Sequence, residues 1–172
     1  HGDDRGSYIW DPPMKDIRTG MELLKFREPR YLKEETEEEV RRAESVFDGV
    51  LPIRMRGNWG WSMGMTWKII DLLGIEQFML SMIDEPDQVH RLMAWMRDEH
   101  LNHIDYYVQQ GLLTLNNRNH YTGSGGVAYT DELPTAPTRE GGLVTTKDLW
   151  GFAESQETVG ISPAMFEEFI YP

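Results

Sequence analysis

Polar and aromatic side chains gather at a few points of the sequence where they could bind an organic ligand. The first point is segment 116–121, which directly follows the apolar run 112–115 and combines amide, guanidinium, imidazole and phenol groups. Groups of this kind donate and accept hydrogen bonds, as a ligand with several polar substituents requires. The candidate residues are Asn116, Asn117, Asn119, His120 and Tyr121. The plainer interpretation, in which the asparagines form the turns of a loop, stays open.

Two further clusters add tryptophan to hydrogen-bonding groups. In the second cluster a tryptophan precedes three polar side chains, so that a flat apolar surface would lie beside a polar rim. Its members are Trp150, Ser155, Gln156 and Glu157. The third cluster follows the apolar run 50–55 and consists of Asn58, Trp59 and Trp61. Because the chain has six tryptophans, a core or subunit-contact role for Trp59 and Trp61 is the alternative interpretation.

Metal-binding and acid–base residues give a weaker signal. His100 and His103 are three residues apart after Glu99, a spacing that can place two nitrogens on one helix face. His100 also lies close to the apolar stripe of its helix, which favours packing over metal binding. Adjacent acidic residues such as Asp131 and Glu132 have no surroundings that predict burial and a raised pKa. We therefore assign no catalytic residue and no metal ligand.

Charge and composition narrow the classes of partner. The formal net charge is -12 and the isoelectric point is near 4.8, so that nucleic acid and anionic membrane surfaces are not expected to bind. No apolar run approaches the roughly 20 residues that span a bilayer. The absence of cysteine is compatible with a reducing cytoplasm, where we expect a soluble protein. The start at His1 is interpreted as a fragment boundary.

Apolar spacing predicts five helices. The acidic run 34–39 leads into a helix with apolar residues at positions 40, 43, 46 and 47, and helices follow over 65–73 and 75–83. Gly74 is expected to end the first of these two. A long helix should begin at Pro86 and end at Gly111, and a last helix should begin at Ser162 and Pro163.

Two apolar runs, 50–55 and 112–116, are predicted to be strands. The order of strand, helices and strand indicates parallel βα units and therefore an α/β fold. We expect a single domain. It has a loop-rich lead-in over 1–33, βα units over 34–116, a long loop on the active-site side over 117–161, and the start of a further helix over 162–172.

The carboxyl-terminal part of the chain resembles the uroporphyrinogen decarboxylase superfamily. Residues 148–156 run into 161–172, where the pattern Ser-Pro-x-x-Phe-x-x-Phe begins at Ser162. In that family a strand end with an acidic and a small polar residue leads into such a helix. Residues 84–93 resemble another helix start of the family, and the resemblance extends over roughly 34–172.

This resemblance implies a partial (β/α)8 TIM barrel whose site lies at the carboxyl ends of its strands. The family implies two chemistries. One is the decarboxylation of uroporphyrinogen by a lyase. The other is methyl transfer between a corrinoid, free or on a corrinoid protein, and a thiol on zinc. The glycine-aromatic loop 60–64 lacks the Gly-x-Pro-x-Thr character of the decarboxylase-type loop, which favours a methyltransferase-like or otherwise divergent enzyme over a true decarboxylase. Zinc and corrinoid are expected in a longer parent and not in an isolated, inactive fragment.

The resemblance assigns the three clusters to one tetrapyrrole or corrinoid pocket. The alternative is a non-enzymatic interaction module that forms homo-oligomers, because an incomplete barrel would leave strand edges and apolar surface exposed.

Overall fold

A computed structural model describes residues 10–57, 64–123 and 126–171 of the chain. Asn58, Trp59 and Trp61 lie outside these residues. The chain divides into two compact units. The first consists of His1–Phe26, Met63–His100 and Ala153–Pro172, and the second of Arg27–Ser62 and Leu101–Phe152.

The described residues are mainly helical. The helices are α1 (Ile17–Met21), α2 (Lys33–Phe47), α3 (Thr66–Leu73), α4 (Ile75–Asp84), α5 (Pro86–Gln109), α6 (Ala136–Arg139) and α7 (Pro163–Phe169). Short 3₁₀ turns occupy Thr146–Asp148 and Gln156–Thr158. Strands β1 (Arg118–Gly123) and β2 (Gly126–Tyr129) form an antiparallel pair in which His120 faces Ala128.

The five predicted helices are confirmed as α2, α3, α4, α5 and α7. Their ends follow from local chemistry. Gly74 ends α3 at φ 86° and ψ 150°, a backbone conformation that is essentially restricted to glycine. The Leu112 amide donates to the Tyr107 carbonyl at 2.9 Å and closes the end of α5. At the start of α7 the Ser162 Oγ accepts from the Met165 amide at 3.2 Å.

The predicted α/β fold with parallel strands, a partial (β/α)8 barrel, is wrong. Neither 50–55 nor 112–116 forms a strand, and the ladder of the described residues is the antiparallel β1–β2 pair. Val50 and Leu51 are 74% and 59% exposed. The Leu115 carbonyl accepts from Arg56 Nη2 at 3.0 Å, and so a side chain takes the place of a neighbouring strand. Segment 117–161, expected to be a loop, contains β1, β2, α6 and both 3₁₀ turns.

The first unit has an apolar core built by helices α1, α3, α4, α5 and α7. The α5 stripe enters this core through Val89, Leu92 and Met96, at the helical spacing predicted for it. The full set of buried core residues is Met14, Ile17, Ile69, Leu73, Phe78, Met82, Val89, Leu92, Met96 and Phe169. Phe169 belongs to α7, and this helix is thereby anchored in the core of the first unit.

Candidate functional site

The segment before α7 holds three predicted ligand-binding residues, Ser155, Gln156 and Glu157. Thr158, which is buried, fixes this segment because its amide and its Oγ1 donate to the Ser155 carbonyl at 2.9 and 2.6 Å. The Thr158 hydroxyl and the 3₁₀ turn therefore set the direction of the chain just ahead of the helix. Ser155 and Glu157 are half-buried, and Gln156 is exposed.

A buried threonine from α3 contacts this segment. Thr66 is 2% exposed and its Oγ1 donates to Glu157 Oε2 at 2.7 Å. Hydrogen bonds to a charged acceptor are stronger than those between neutral groups. The contact therefore holds the Glu157 carboxylate against the start of α3.

A cavity of about 230 Å³ lies at this point of the first unit. We call it the Ser155 pocket. Its apolar wall is formed by Met65, Met93, Phe166 and Ile170, and its polar wall by Thr66, Glu154 and Ser155. The arrangement, a mostly apolar concavity with a few polar groups, is typical of small-molecule sites. Ser155 thus lines a cavity, and Glu157 is attached to the cavity wall through Thr66.

One glycine permits this geometry. A Cβ placed on Gly64 would lie 2.3 Å from the Glu154 carbonyl oxygen, well inside contact distance. Only a residue without a side chain allows the backbone before α3 to come so close to residue 154. Sequence reasoning placed Gly64 in an aromatic loop and did not connect it with residues 153–155.

In the second unit, Asn116 makes a two-bond contact with the backbone of Trp150. Its Nδ2 donates to the Trp150 carbonyl and its Oδ1 accepts from the Trp150 amide, both at 2.9 Å. Asn116 is fully buried, whereas the Trp150 residue is 43% exposed. These two hydrogen bonds join a residue of the first predicted cluster to one of the second and leave part of Trp150 accessible. A ligand-binding role for Asn116 stays a prediction.

Asn117 also contacts the backbone. It is 1% exposed, its Nδ2 donates to the Leu133 carbonyl, and its own carbonyl accepts from the Thr130 amide at 3.2 Å. This favours the interpretation in which the asparagines organise the loop. A direct ligand contact of Asn117 stays a prediction.

The remaining candidates of the first cluster lie in β1. His120 is half-buried, and its Nδ1 accepts from the Arg118 amide at 3.2 Å. Asn119 and Tyr121 also belong to β1. Their side chains, like Asn58, Trp59 and Trp61, fall outside what the structure describes, and their roles stay predictions.

Sequence reasoning missed Asp148, a buried carboxylate of the second unit with four hydrogen bonds. Asp148 is fully buried and accepts from the amides and hydroxyls of Thr135 and Thr145 at 2.5 to 2.9 Å. Burial raises the pKa of Asp148, but these four hydrogen bonds outweigh it and hold the pKa well below its usual range. The signal was the Thr-x-x-Asp spacing of a capping box over residues 145–148.

The described residues hold no group of three or more His, Asp or Glu side chains arranged to bind a metal. His103 stacks on Tyr107 at 5.7 Å between ring centroids, a packing contact. Within the same residues, no helix combines the length and the apolar composition needed to cross a membrane. Searches against protein-family models, curated proteins and solved structures find no match to this chain.

Proposed function

We propose that the chain binds part of a methyl-corrinoid or related tetrapyrrole in the Ser155 pocket, as a component of a methyltransferase-like enzyme. The observation that carries the proposal is that α7, from the segment with the most specific family resemblance, lines one cavity together with residues 154–155, which precede it in the chain. If these residues lay on a flat surface, they could not enclose a ligand, and the proposal would have no structural support. A bound methyl-corrinoid would supply a transferable methyl group.

The size of the cavity limits which part of the ligand enters. Ligand sites usually measure about 300 to 1,000 Å³, and the Ser155 pocket measures about 230 Å³. It admits one edge of a macrocycle with its side chains and not the whole ring. Phe166 is on the cavity wall, and Gln156 follows Ser155 in the chain. Both are exposed and would contact the part of the macrocycle that remains outside the cavity.

Charge favours a corrinoid over uroporphyrinogen. Glu154 lines the cavity, Glu157 is bonded to its wall, and the chain carries a net charge of -12. Carboxylates on a uroporphyrinogen would be repelled by these groups, whereas the amide side chains of a corrinoid donate hydrogen bonds to carboxylates and to the Ser155 hydroxyl. The expected zinc does not fit the described residues, which hold no three-ligand group.

The experiment measures binding of methylcobalamin and of uroporphyrin III to the chain by equilibrium dialysis. We expect methylcobalamin to bind more tightly than uroporphyrin III. Glu157→Gln should weaken methylcobalamin binding by about tenfold, the effect of losing one charge-assisted hydrogen bond. Ser155→Ala should weaken it by about fivefold, the effect of losing one hydrogen bond between neutral groups.

Glu167→Gln is the matched control, because Glu167 is an exposed α7 residue whose substitution makes the same change of charge. It should change the affinity by less than about twofold, within the usual range of surface substitutions. Equal losses in Glu157→Gln and Glu167→Gln would reject the pocket assignment. Tighter binding of uroporphyrin III would reject the preference for a corrinoid.

A second function, self-association without catalysis, is favoured by the surface of α2. This helix buries none of its residues, and Val46 and Phe47 at its end are 66% and 41% exposed. Arg41 and Arg42 follow the acidic run ending at Glu39 after one residue, Val40. An antiparallel copy would therefore place arginines beside glutamates. Sedimentation equilibrium of the wild type and of Phe47→Ser tests this, with dissociation expected only in the variant.

A further inference from the structure

The second unit contains a separate cavity of about 280 Å³, which we call the Arg56 pocket. The end of α5, the residues ahead of α2 and the segments 55–57 and 112–114 surround it. Its lining includes Tyr31, Met55, Arg56, Tyr107, Leu112 and Thr114.

Specific contacts fix the walls of this cavity. The Tyr31 amide donates to the Tyr106 hydroxyl at 2.6 Å, and Arg56 Nη2 donates to the Leu115 carbonyl at 3.0 Å. A Cβ on Gly57 would lie 1.4 Å from the Leu112 carbonyl oxygen. Segments 55–57 and 112–115 are therefore held together by backbone proximity and by the guanidinium, and the cavity between them and α5 has a defined shape.

The charge of the Arg56 pocket differs in sign from that of the chain. Arg56 is its cationic group, and none of the described residues that line it is Asp, Glu, Lys or His. The chain as a whole carries -12. A guanidinium carries five N–H donors, of which the Leu115 carbonyl accepts from one, and its charge strengthens its hydrogen bonds to a carboxylate.

The rest of the lining suits an aromatic body. Tyr31 and Tyr107 contribute rings, and Met55 and Leu112 contribute apolar side chains. Thr114 Oγ1 is buried and has no hydrogen-bond partner among the described residues. A buried hydroxyl without a partner is unfavourable. An oxygen of a bound ligand, reached by rotation of the Thr114 side chain, would supply that partner.

We propose that the Arg56 pocket binds a small aromatic carboxylate. At roughly 25 Å³ for each non-hydrogen atom, close to the share of a water molecule in the liquid, a cavity of about 280 Å³ holds about eleven such atoms. Phenylacetate has this size and one carboxylate. Ligands this small bind with micromolar to millimolar dissociation constants.

The test is calorimetric titration of the chain with phenylacetate and with phenylacetamide, which has the same shape and no charge. We expect saturable binding of phenylacetate at one site and an affinity for phenylacetamide lower by about tenfold or more. Equal affinity for the two compounds, or no saturable binding of phenylacetate, overturns the proposal.

Substitutions locate the binding. Arg56→Gln should weaken phenylacetate binding by about tenfold, while Arg54→Gln, an exposed neighbour outside the cavity with the same change of charge, should alter it by less than about twofold. Thr114→Val should weaken binding without destabilising the chain, because it removes a hydroxyl that has no partner in the unbound protein. If Arg56→Gln and Arg54→Gln weakened binding equally, the ligand would be attracted by positive charge in general and not by a contact with Arg56, and the site would be rejected.

Discussion

At the residue scale, the buried polar side chains of the second unit are used to organise the loop after α5. Asn116 contacts Trp150, Asn117 contacts Leu133, and Asp148 contacts Thr135 and Thr145. Burying such groups is unfavourable unless their hydrogen bonds are made. These three side chains therefore stabilise a region in which Leu113 and Leu149 are the buried hydrophobic residues among those described.

Asp148→Asn should destabilise the chain by about 2 kcal/mol. An amide nitrogen in place of Oδ2 cannot accept from Thr145, and so two hydrogen bonds to a charged acceptor are lost. Urea unfolding measures the change, with Asp105→Asn, an exposed α5 residue of the same unit, as control. An equal loss in both variants would contradict a structural role for this carboxylate.

The depressed pKa of Asp148 predicts a loss of stability in acid. A carboxyl whose pKa is lower in the folded than in the unfolded state stabilises the fold above the unfolded pKa, near about 4, and this contribution falls as the pH drops below that value. The difference in unfolding free energy between wild type and Asp148→Asn should therefore shrink from about pH 6 to about pH 3. A difference that stays constant in urea titrations at both pH values would contradict this.

At the element scale, helix ends were predictable and strands were not. Pro86, Gly74 and Ser162 act on their own backbone neighbours, so their effect can be read locally. A strand instead needs a second chain segment to pair with, and the sequence of 112–116 does not specify one. Segment 112–116 meets Arg56 and Trp150, which replace ladder hydrogen bonds by side-chain contacts.

The candidate site shows the same limit. The motif around Ser162 indicated which segment to examine, and Ser155 does line a cavity. Thr66 and Met93 line the same cavity as Ser155 although each lies more than sixty residues from it along the chain. No local sequence pattern predicts such contacts. Gly64 matters because the backbone at residue 154 lies against it in the folded chain, and this proximity cannot be read from the local sequence.

Gly74→Ala should destabilise the α3–α4 connection by about 2 kcal/mol. The φ of 86° and ψ of 150° are unfavourable for any residue with a Cβ, and that Cβ would also lie 3.0 Å from Pro12 Cγ. Gly49→Ala is the control, since Gly49 has φ 69° with open space around its Cβ position. It should cost about 1 kcal/mol, from backbone strain alone. Urea unfolding followed by circular dichroism compares them, and equal losses would exclude a contribution from Pro12.

At the scale of the whole molecule, charge and exposed apolar surface oppose each other. The net charge of -12 repels a second copy, while the uncovered apolar side chains near the end of α2 favour contact with one. Salt screens the repulsion between the two net charges of -12, together with the smaller attraction between arginines and glutamates of facing α2 helices, and leaves apolar contacts intact. Ionic strength should therefore decide whether charge repulsion or apolar attraction between two copies is larger.

Self-association through α2 should increase with salt. Sedimentation at about 50 mM and about 500 mM NaCl should give a larger dimer fraction at the higher concentration, because the Debye length falls from above 10 Å to a few ångströms. Phe47→Ser should remove the dimer at both concentrations. Ile83→Ser, which changes an exposed α4 residue, should not. A wild type that is monomeric under both conditions would contradict the prediction.

The paired hydrogen bonds between Asn116 and Trp150 join positions 34 residues apart in the chain. A protease that cuts the exposed Gly141–Gly142 peptide would break the covalent path between them and leave these bonds in place. The Leu149 side chain beside Trp150 is also buried and would resist release. The two cleavage products, residues 1–141 and 142–172, should therefore elute as one complex in native size-exclusion chromatography and separate only in denaturant.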